Sequence, residues 1–364
     1  METKIKVGII GAGNISSAYI EGCRDYDILD LVAIADIDMP KAKAAAEKYV
    51  IPKLYKVGEM LADPDIQIVV NITIPRAHAE VGLAIIAAGK HPYSEKPLAV
   101  TREDGERILA AAKAKGVRVG CAPDTFLFGA HQTCRKLIDD GVIGEPVAAV
   151  GFMANHGPER WHPNPGFYYE VGGGPLFDMG PYYLTCLVNL LGPVARVSGS
   201  ARTTFPERIA GNGQHLPVHT ATHIGGVLDF ASGPVATLIT SFDVWGHHLP
   251  KMEVYGSEGS LSVPDPNGGD HIVRLLRAGE KEWSDIPLVY PKETRRGVGV
   301  ADLAYALTYG RPNRANGELA YHVLDVMHAI GDASASGAHV NVKSTCARPA
   351  LLPLDLPQRQ LDSA

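Results

Sequence analysis

The feature that most constrains this chain lies at its amino terminus. Lys4 to Ile10 (KIKVGII) is a short β-rich run that ends in Gly11-Ala12-Gly13-Asn14-Ile15-Ser16, and a helical stretch follows through Tyr19. A strand that turns on glycines into a helix leaves unpaired N–H groups at the helix start, where a pyrophosphate can sit. Gly11 suits the tight turn and Gly13 the close approach of phosphates to the backbone. Gly11, Gly13, Asn14 and Ile15 are therefore candidate nucleotide-binding residues. The third glycine of the usual fingerprint is Ser16, which is small enough for close packing but weakens the match.

The following residues strengthen the reading. Ile28 to Ala35 (ILDLVAIA) is a second apolar strand that ends at Asp36. An acid there accepts the adenosine ribose hydroxyls and repels a 2′-phosphate, so NAD is favoured over NADP. Asp38 is an alternative acceptor or a solvated turn acid. Pro40 to Tyr49 and Val57 to Leu61 read as helices, Ile66 to Ile72 (IQIVVNI) as a buried strand, and Arg76 to Ala88 as the next helix. Thr101 to Lys115 is a helix with a cap, and Val117 to Cys121 a final strand. This alternation predicts a doubly wound parallel sheet. Groups at its strand ends face the ligand crevice, which makes Thr73 and Pro75 candidates for the nicotinamide side. His78, early in its helix, is a further cofactor-side candidate or a packing histidine. Glu95-Lys96-Pro97 follows another strand; the lysine is either a surface residue or, at a strand end beside a dinucleotide site, a group that donates or accepts the hydroxyl proton of an alcohol being oxidised.

From Pro123 the rhythm changes. A helix over Gly129 to Asp139 is followed by strand-like runs at Pro146 to Ala154, Val194 to Ala201, Val218 to Phe230, Val235 to Val244, Lys251 to Tyr255, Ser260 to Val263 and His271 to Arg277. Hairpin-like separators predict a mostly antiparallel open sheet. The expected fold class is thus α/β, an N-terminal Rossmann domain over 1–122 and a C-terminal α+β domain over 123–364. A late helix, Leu319 to Ile330, stopped by Gly331, is expected to pack back on the first domain. Aromatics, histidines and glycines crowd the segment from His156 through Tyr169 and on to Gly172-Gly173-Gly174-Pro175-Leu176-Phe177-Asp178-Met179-Gly180-Pro181-Tyr182, where a helix through Leu191 begins. Asp178 and Tyr182 are four apart and share a face if both are helical. Aromatic faces with hydroxyl and imidazole donors suit a sugar or polyol, with Trp161, His162 and Tyr168 as candidates, and the same pattern equally suits an aromatic core with an Asp cap at the helix start. No metal site is expected, since His156 and His162 lack a third ligand at recognised spacing.

Thirty-four basic against forty acidic residues give a net charge of -6, which argues against a nucleic-acid backbone or an anionic membrane as partner. Five cysteines without a CxxC pair read as buried thiols in a reducing compartment. The first apolar run, Val7 to Ile10, is far too short for a secretory core, and no window approaches ~18 apolar residues, so a cytoplasmic location is expected.

Gly11 to Ser16, Thr73-Ile74-Pro75 to His78, Glu95-Lys96-Pro97, and Gly172 to Tyr182, with Asn316-Gly317-Glu318 before the last helix, together resemble the glucose-fructose oxidoreductase / inositol dehydrogenase (Gfo/Idh/MocA) family over nearly the whole chain. The resemblance implies a Rossmann domain that binds NAD or NADP, with Glu95 and Lys96 on the cofactor side. It implies a second domain that holds a sugar-like substrate and mediates homodimers or homotetramers. Carried over residue by residue, it makes Lys96 the catalytic lysine and Asp178 the substrate-orienting aspartate, and puts Tyr182 where a catalytic histidine often stands. A tyrosine ionises near pH ~10 and a histidine near neutrality, so Tyr182 needs a nearby cation such as Lys96 to act as a base. The implied activity is NAD-dependent hydride transfer at a secondary alcohol of a cyclic sugar or polyol. The alternatives are a redox-neutral, NAD-retaining sugar lyase or glycosidase, a non-catalytic NAD-binding regulatory protein, and an α/β domain that binds no dinucleotide.

Overall fold

Strand β1 (Ile5–Ile10) runs into the glycine turn and α1 (Ser16–Arg24) leaves it, in a computed structural model that describes residues 4–268, 272–290, 294–354, 356–357 and 359–362. Then follow β2 (Leu29–Ala35), α2 (Met39–Tyr49), β3 (Lys53–Tyr55), α3 (Val57–Ala62), β4 (Ile68–Asn71), α4 (His78–Ala87), β5 (His91–Ser94), α5 (Arg102–Lys115) and β6 (Gly120–Cys121). The six strands form a parallel sheet in the order β3-β2-β1-β4-β5-β6. The order reverses between β1 and β4, the switch point at which such sheets bind ligands. Register fixes what meets there. Ile10 pairs with Asn71, and Asn71 with Ser94, so the turns after β1, β4 and β5 leave the sheet side by side.

Local chemistry explains the helices. Asp38 accepts from the Lys41 N–H to cap α2, and Thr101 accepts from the Asp104 N–H to cap α5. The expected strands at 66–72 and 117–121 are shorter in the fold. The Cys121 N–H bonds the Ala315 carbonyl, a partner from far along the chain, which a local pattern does not reveal.

The chain then continues through α6 (Gly129–Asp139), β7 (Pro146–Ala154), α7 (Gly174–Asp178), α8 (Gly180–Leu191), β8 (Val194–Arg202), β9 (Glu207–Ile209), β10 (His215–Pro217), β11 (His223–Phe230), β12 (Val235–Ser241), β13 (Met252–Gly256), β14 (Gly259–Val263), β15 (Val273–Arg277) and β16 (Ser284–Ile286), and closes with α9 (Val298–Tyr309), α10 (Gly317–Ser336) and β17 (Val340–Asn341). It divides into two compact units. One comprises Met1–Phe128, Glu293–Tyr321 and Pro349–Ala364, the other Gly129–Lys292 and His322–Arg348. The second unit holds a nine-stranded sheet, β16-β15-β14-β13-β7-β12-β11-β8-β17, whose pairs are antiparallel except β7 with β12. One face buries Ala149, Met153, Ile224, Leu238, Val254 and Leu261. On the other, Val227 and Val235 are partly exposed, at 37% and 43%. The expected fold class is therefore the one observed: a Rossmann-like parallel sheet, then a mostly antiparallel open sheet.

Several sequence expectations are corrected. The run from Val218 becomes a strand only at His223, and the preceding loop carries the separate β9–β10 hairpin. His271, the expected start of β15, lies outside the described residues. Gly331 does not stop the late helix, which continues to Ser336 and ends at Gly337, where φ is +66°. Asp178 and Tyr182 do not share one continuous helix, because α7 ends at Asp178 and α8 begins at Gly180. Pro181 has no N–H to offer the turn before it, which explains the break at Met179. Of the five cysteines, Cys23, Cys121, Cys134 and Cys186 are buried, but Cys346 is half-buried. Among the described residues no helix is long and apolar enough to cross a membrane.

Candidate functional site

In the first unit the glycine turn is tightly built. The Gly11 N–H bonds the Ala35 carbonyl at 2.8 Å, and the Ala12 N–H bonds Asp36 Oδ2 at 2.7 Å. Asp36 Oδ1 accepts from the Asp38 N–H at 2.8 Å, which locks the carboxylate beside the turn. Asp38 is spent on the α2 cap and on an ion pair with Lys41. At Gly11, φ is +117° and a Cβ would lie 2.7 Å from the Ile72 carbonyl oxygen, so only glycine fits. Gly13 is the opposite case, with nothing within 4 Å of a Cβ placed there. Ser16 is buried, and its hydroxyl donates to the Gly13 carbonyl at 2.7 Å. Among the described residues, the N–H groups of Gly13, Asn14 and Ile15 find no acceptor. Three unpaired donors at a helix start, beside an open space, fit a dinucleotide pyrophosphate.

The two neighbouring turns are stapled together by Asn71. Its Nδ2 donates to the His78 carbonyl at 3.1 Å and to Ser94 Oγ at 3.3 Å, while its Oδ1 accepts from Thr73 Oγ1 at 2.7 Å. Pro75 opens a single 3-10 turn that leads into α4. His78 is buried with Nδ1 2.7 Å from the Pro97 carbonyl and Nε2 3.1 Å from that of Thr73. Burial pushes its pKa down, and a neutral imidazole donates through one nitrogen only. His78 thus clamps the Thr73 and Pro97 turns, and both ring nitrogens face protein carbonyls.

Glu95 is buried at the end of β5, and both of its oxygens are engaged. Oε1 accepts from the Tyr19 hydroxyl at 2.8 Å, and Oε2 accepts from the Lys96 N–H at 2.9 Å. Lys96 follows at the carboxyl edge of the sheet, half-buried and joined by a cis peptide bond to Pro97. Tyr19, Asn71 and Arg296, whose Nη1 is 3.8 Å from Glu95 Oε1, were not evident as site residues. Asn71 left the clearest signal, a lone amide in the apolar run IQIVVNI.

In the second unit, Trp161, His162 and Tyr168 come together. The His162 ring meets Trp161, Phe167 and Tyr168 edge-on at 5.6, 5.5 and 5.2 Å. A buried ion network holds this loop. Arg208 pairs with Glu159 at 3.3 Å and with Asp243, the Tyr169 hydroxyl donates to Glu159, and Thr222 Oγ1 donates to Asp243 at 2.7 Å. Trp245 was also missed. It is 71% exposed, stacks on His156 at 3.5 Å, and lies 4.6 Å from the Arg160 guanidinium. Asp178 is half-buried at the end of α7, and Tyr182 is buried in the first turn of α8. Among the described residues no three His, Cys, Asp or Glu side chains are grouped to hold a metal ion.

Residues 5–122 match the family described as an oxidoreductase family with an NAD-binding Rossmann fold, and residues 131–262 match the GFO/IDH/MocA C-terminal domain. The chain belongs to the Gfo/Idh/MocA oxidoreductase family. Among the relatives of this family member is the 1,5-anhydro-D-fructose reductase of Ensifer adhaerens, 30% identical over 70% of this chain and 74% of the relative. The NADP(+)-dependent scyllo-inositol 2-dehydrogenase of Bacillus subtilis is 26% identical over 80% of this chain and 78% of the relative. In fold, the chain is similar to levoglucosan dehydrogenase in its complex with NADH and L-sorbose, with a TM-score of 0.81, 22% identity, and 94% and 99% of the two chains covered. The unpaired donors of the glycine turn are thus found in a domain of the NAD-binding type.

Proposed function

We propose that this Gfo/Idh/MocA protein transfers a hydride between NAD and a secondary alcohol carbon of a cyclic sugar or polyol. The single observation that carries the reading is the alignment of the glycine turn, the Thr73 turn and Lys96 along one edge of the parallel sheet. NAD, when bound, would supply the hydride acceptor, and all other groups would come from the chain. Gly13, Asn14 and Ile15 would bind the pyrophosphate through their N–H groups, with Asp36 toward the ribose hydroxyls. Thr73 and Pro75 would line the nicotinamide side. Lys96 Nζ would take the hydroxyl proton as the carbonyl forms and return it in the reverse direction. Asp178 would orient the substrate, and Tyr182 would bind a hydroxyl next to the reacting one. Trp161, His162 and Tyr168 would contact the sugar's C–H faces.

The fixed carboxylate of Asp36 supports NAD over NADP, because a 2′-phosphate would meet a negative charge beside the turn. The exposed valines Val227 and Val235 on one face of the nine-stranded sheet support a homodimer or homotetramer, and the buried thiols Cys23, Cys121, Cys134 and Cys186 support a cytoplasmic location. The test follows NADH absorbance while the protein is offered NAD or NADP with inositols, 1,5-anhydro sugars, levoglucosan and aldoses. Reduction of NAD by one class is the expected result. Turnover of a sugar without net NADH would favour a redox-neutral enzyme, and NADH binding with no turnover of any polyol would favour a regulatory protein.

A further inference from the structure

The Glu95–Lys96 turn receives a cation from a segment some two hundred residues later in the chain. Arg296 Nη1 lies 3.8 Å from Glu95 Oε1, the oxygen that also accepts from the Tyr19 hydroxyl at 2.8 Å. The other carboxylate oxygen holds the Lys96 N–H at 2.9 Å. One buried carboxylate therefore ties a helix, a returning strand of chain and the main chain of the candidate catalytic lysine.

The delivery of Arg296 is over-determined. A Cβ on Gly22 of α1 would fall 1.7 Å from the Arg296 carbonyl oxygen, so the two backbones touch where no other residue fits. Gly297 has φ +103°, and a Cβ there would lie 2.9 Å from the Gly22 carbonyl carbon. Asp124 Oδ2 accepts from the N–H groups of Gly297 and Gly299 at 2.9 and 3.0 Å and fixes the start of α9. Arg295 pairs outward with Asp25 at 3.0 Å and Glu21 at 3.3 Å. These contacts anchor the segment through its backbone and through Arg295. The Arg296 guanidinium places a positive charge 3.8 Å from the buried Glu95 carboxylate, which offsets part of the cost of burying that group.

We propose that Arg296 and Tyr19 are positioning residues of the Lys96 site: they fix the Glu95 carboxylate, and that carboxylate fixes the main chain at Lys96. The inference rests on the reading of Lys96 as the residue that moves the substrate proton. Glu95 accordingly shapes the turn and does not itself touch the reacting atoms.

The test uses the full-length protein with Tyr19→Phe, Arg296→Gln and Arg296→Lys. Hydrogen exchange at the Lys96 amide, read by mass spectrometry with fragmentation to single residues, reports the Glu95 bond directly and needs no substrate. Pro97 has no amide, so the signal is not shared with the residue that follows. Tyr19→Phe and Arg296→Gln are expected to speed exchange at Lys96 by about tenfold, with peptides of the nine-stranded sheet unchanged. With the polyol found in the panel, kcat falls ~10- to 100-fold while the NADH Kd stays within about twofold, as expected when a reacting group is displaced and binding is not. Arg296→Lys recovers a large part of both, which loss of packing alone would not allow. Unchanged exchange at Lys96 in both Tyr19→Phe and Arg296→Gln overturns the proposal, as does a kcat loss matched by an equal loss of NADH affinity. If Arg296→Gln does not fold, Tyr19→Phe, which removes one hydroxyl, carries the test. If the wild-type protein turns over no polyol, the oxidoreductase reading fails, and the exchange measurement still decides the positioning claim.

Discussion

Replacing Gly13 with alanine separates binding from folding. A Cβ at this position meets nothing within 4 Å, and Gly13 is not among the glycines with positive φ, so the folded backbone accepts alanine without strain. Stability should therefore rise by ~0.4–1 kcal/mol, because the unfolded chain loses freedom. That corresponds to an upward Tm shift of about 1–4 °C. The methyl group projects into the space beside three unpaired N–H groups, where a phosphate would approach. Displacing one charge-assisted hydrogen bond costs ~1.5–3 kcal/mol, or about 10- to 100-fold in NADH Kd. Fluorescence titration with NADH and a thermal melt read the two effects on the same sample. If Gly13→Ala binds NADH as tightly as wild type, the phosphates lie elsewhere. Gly11→Ala is the control: with φ +117° and the Ile72 carbonyl 2.7 Å from its Cβ, it should lose stability by ~2 kcal/mol or more.

Lys96→Met should leave NADH affinity nearly intact and lower turnover by ~10²-fold or more, the loss expected for an acid/base group; equal loss in both would make Lys96 a cofactor ligand. Tyr182→Phe removes only a hydroxyl from a buried ring, and should lower kcat/KM about fivefold through one lost neutral hydrogen bond; unchanged kinetics remove that hydroxyl from the mechanism. His322 is fully buried, its Nε2 accepts from the Val194 N–H at 3.0 Å, and burial pushes its pKa down from 6.5 to about 4. The unfolded ring binds its proton first as pH falls, so the stability present above pH 6.5 declines by up to ~3 kcal/mol on the way to pH 4. His322→Gln should flatten the Tm profile across that window relative to wild type, and an equally steep decline would show that His322 does not carry it.

Elements whose cause is local were legible in the sequence. The boundaries of α6 and β7 follow from an amphipathic face and a strand pattern that end on turn residues, and Thr101 announces the start of α5. Elements whose cause is distant were not. Helix α9 (VGVADLAYALTY) is buried on nearly all sides, so it shows no polar face and no period to read. Strands β9, β10, β16 and β17 have two or three residues each, below what alternation can signal. The break between α7 and α8 was visible as Pro181, but the spacing of Asp178 and Tyr182 outweighed it.

The same division runs through the candidate site. A dinucleotide turn is legible because its determinants are contiguous: Gly11 must be glycine for its conformation, and Gly13 leaves open the space beside the unpaired N–H groups. The surroundings of the Lys96 turn are not, since Tyr19, Glu95 and Arg296 come from three separate stretches and meet only once the sheet and the returning segment are in place. A motif thus reports where a ligand is held, while the precision of the reacting group depends on contacts with no sequence signature. Glu95 shows the consequence. Its place beside Lys96 suggests a cofactor ligand, and the fold buries it with one oxygen on a tyrosine and an arginine and the other on the lysine's own main chain. If Lys96 moves the substrate proton as proposed, substitutions at the partners of this carboxylate should alter the rate of that step with little effect on cofactor affinity.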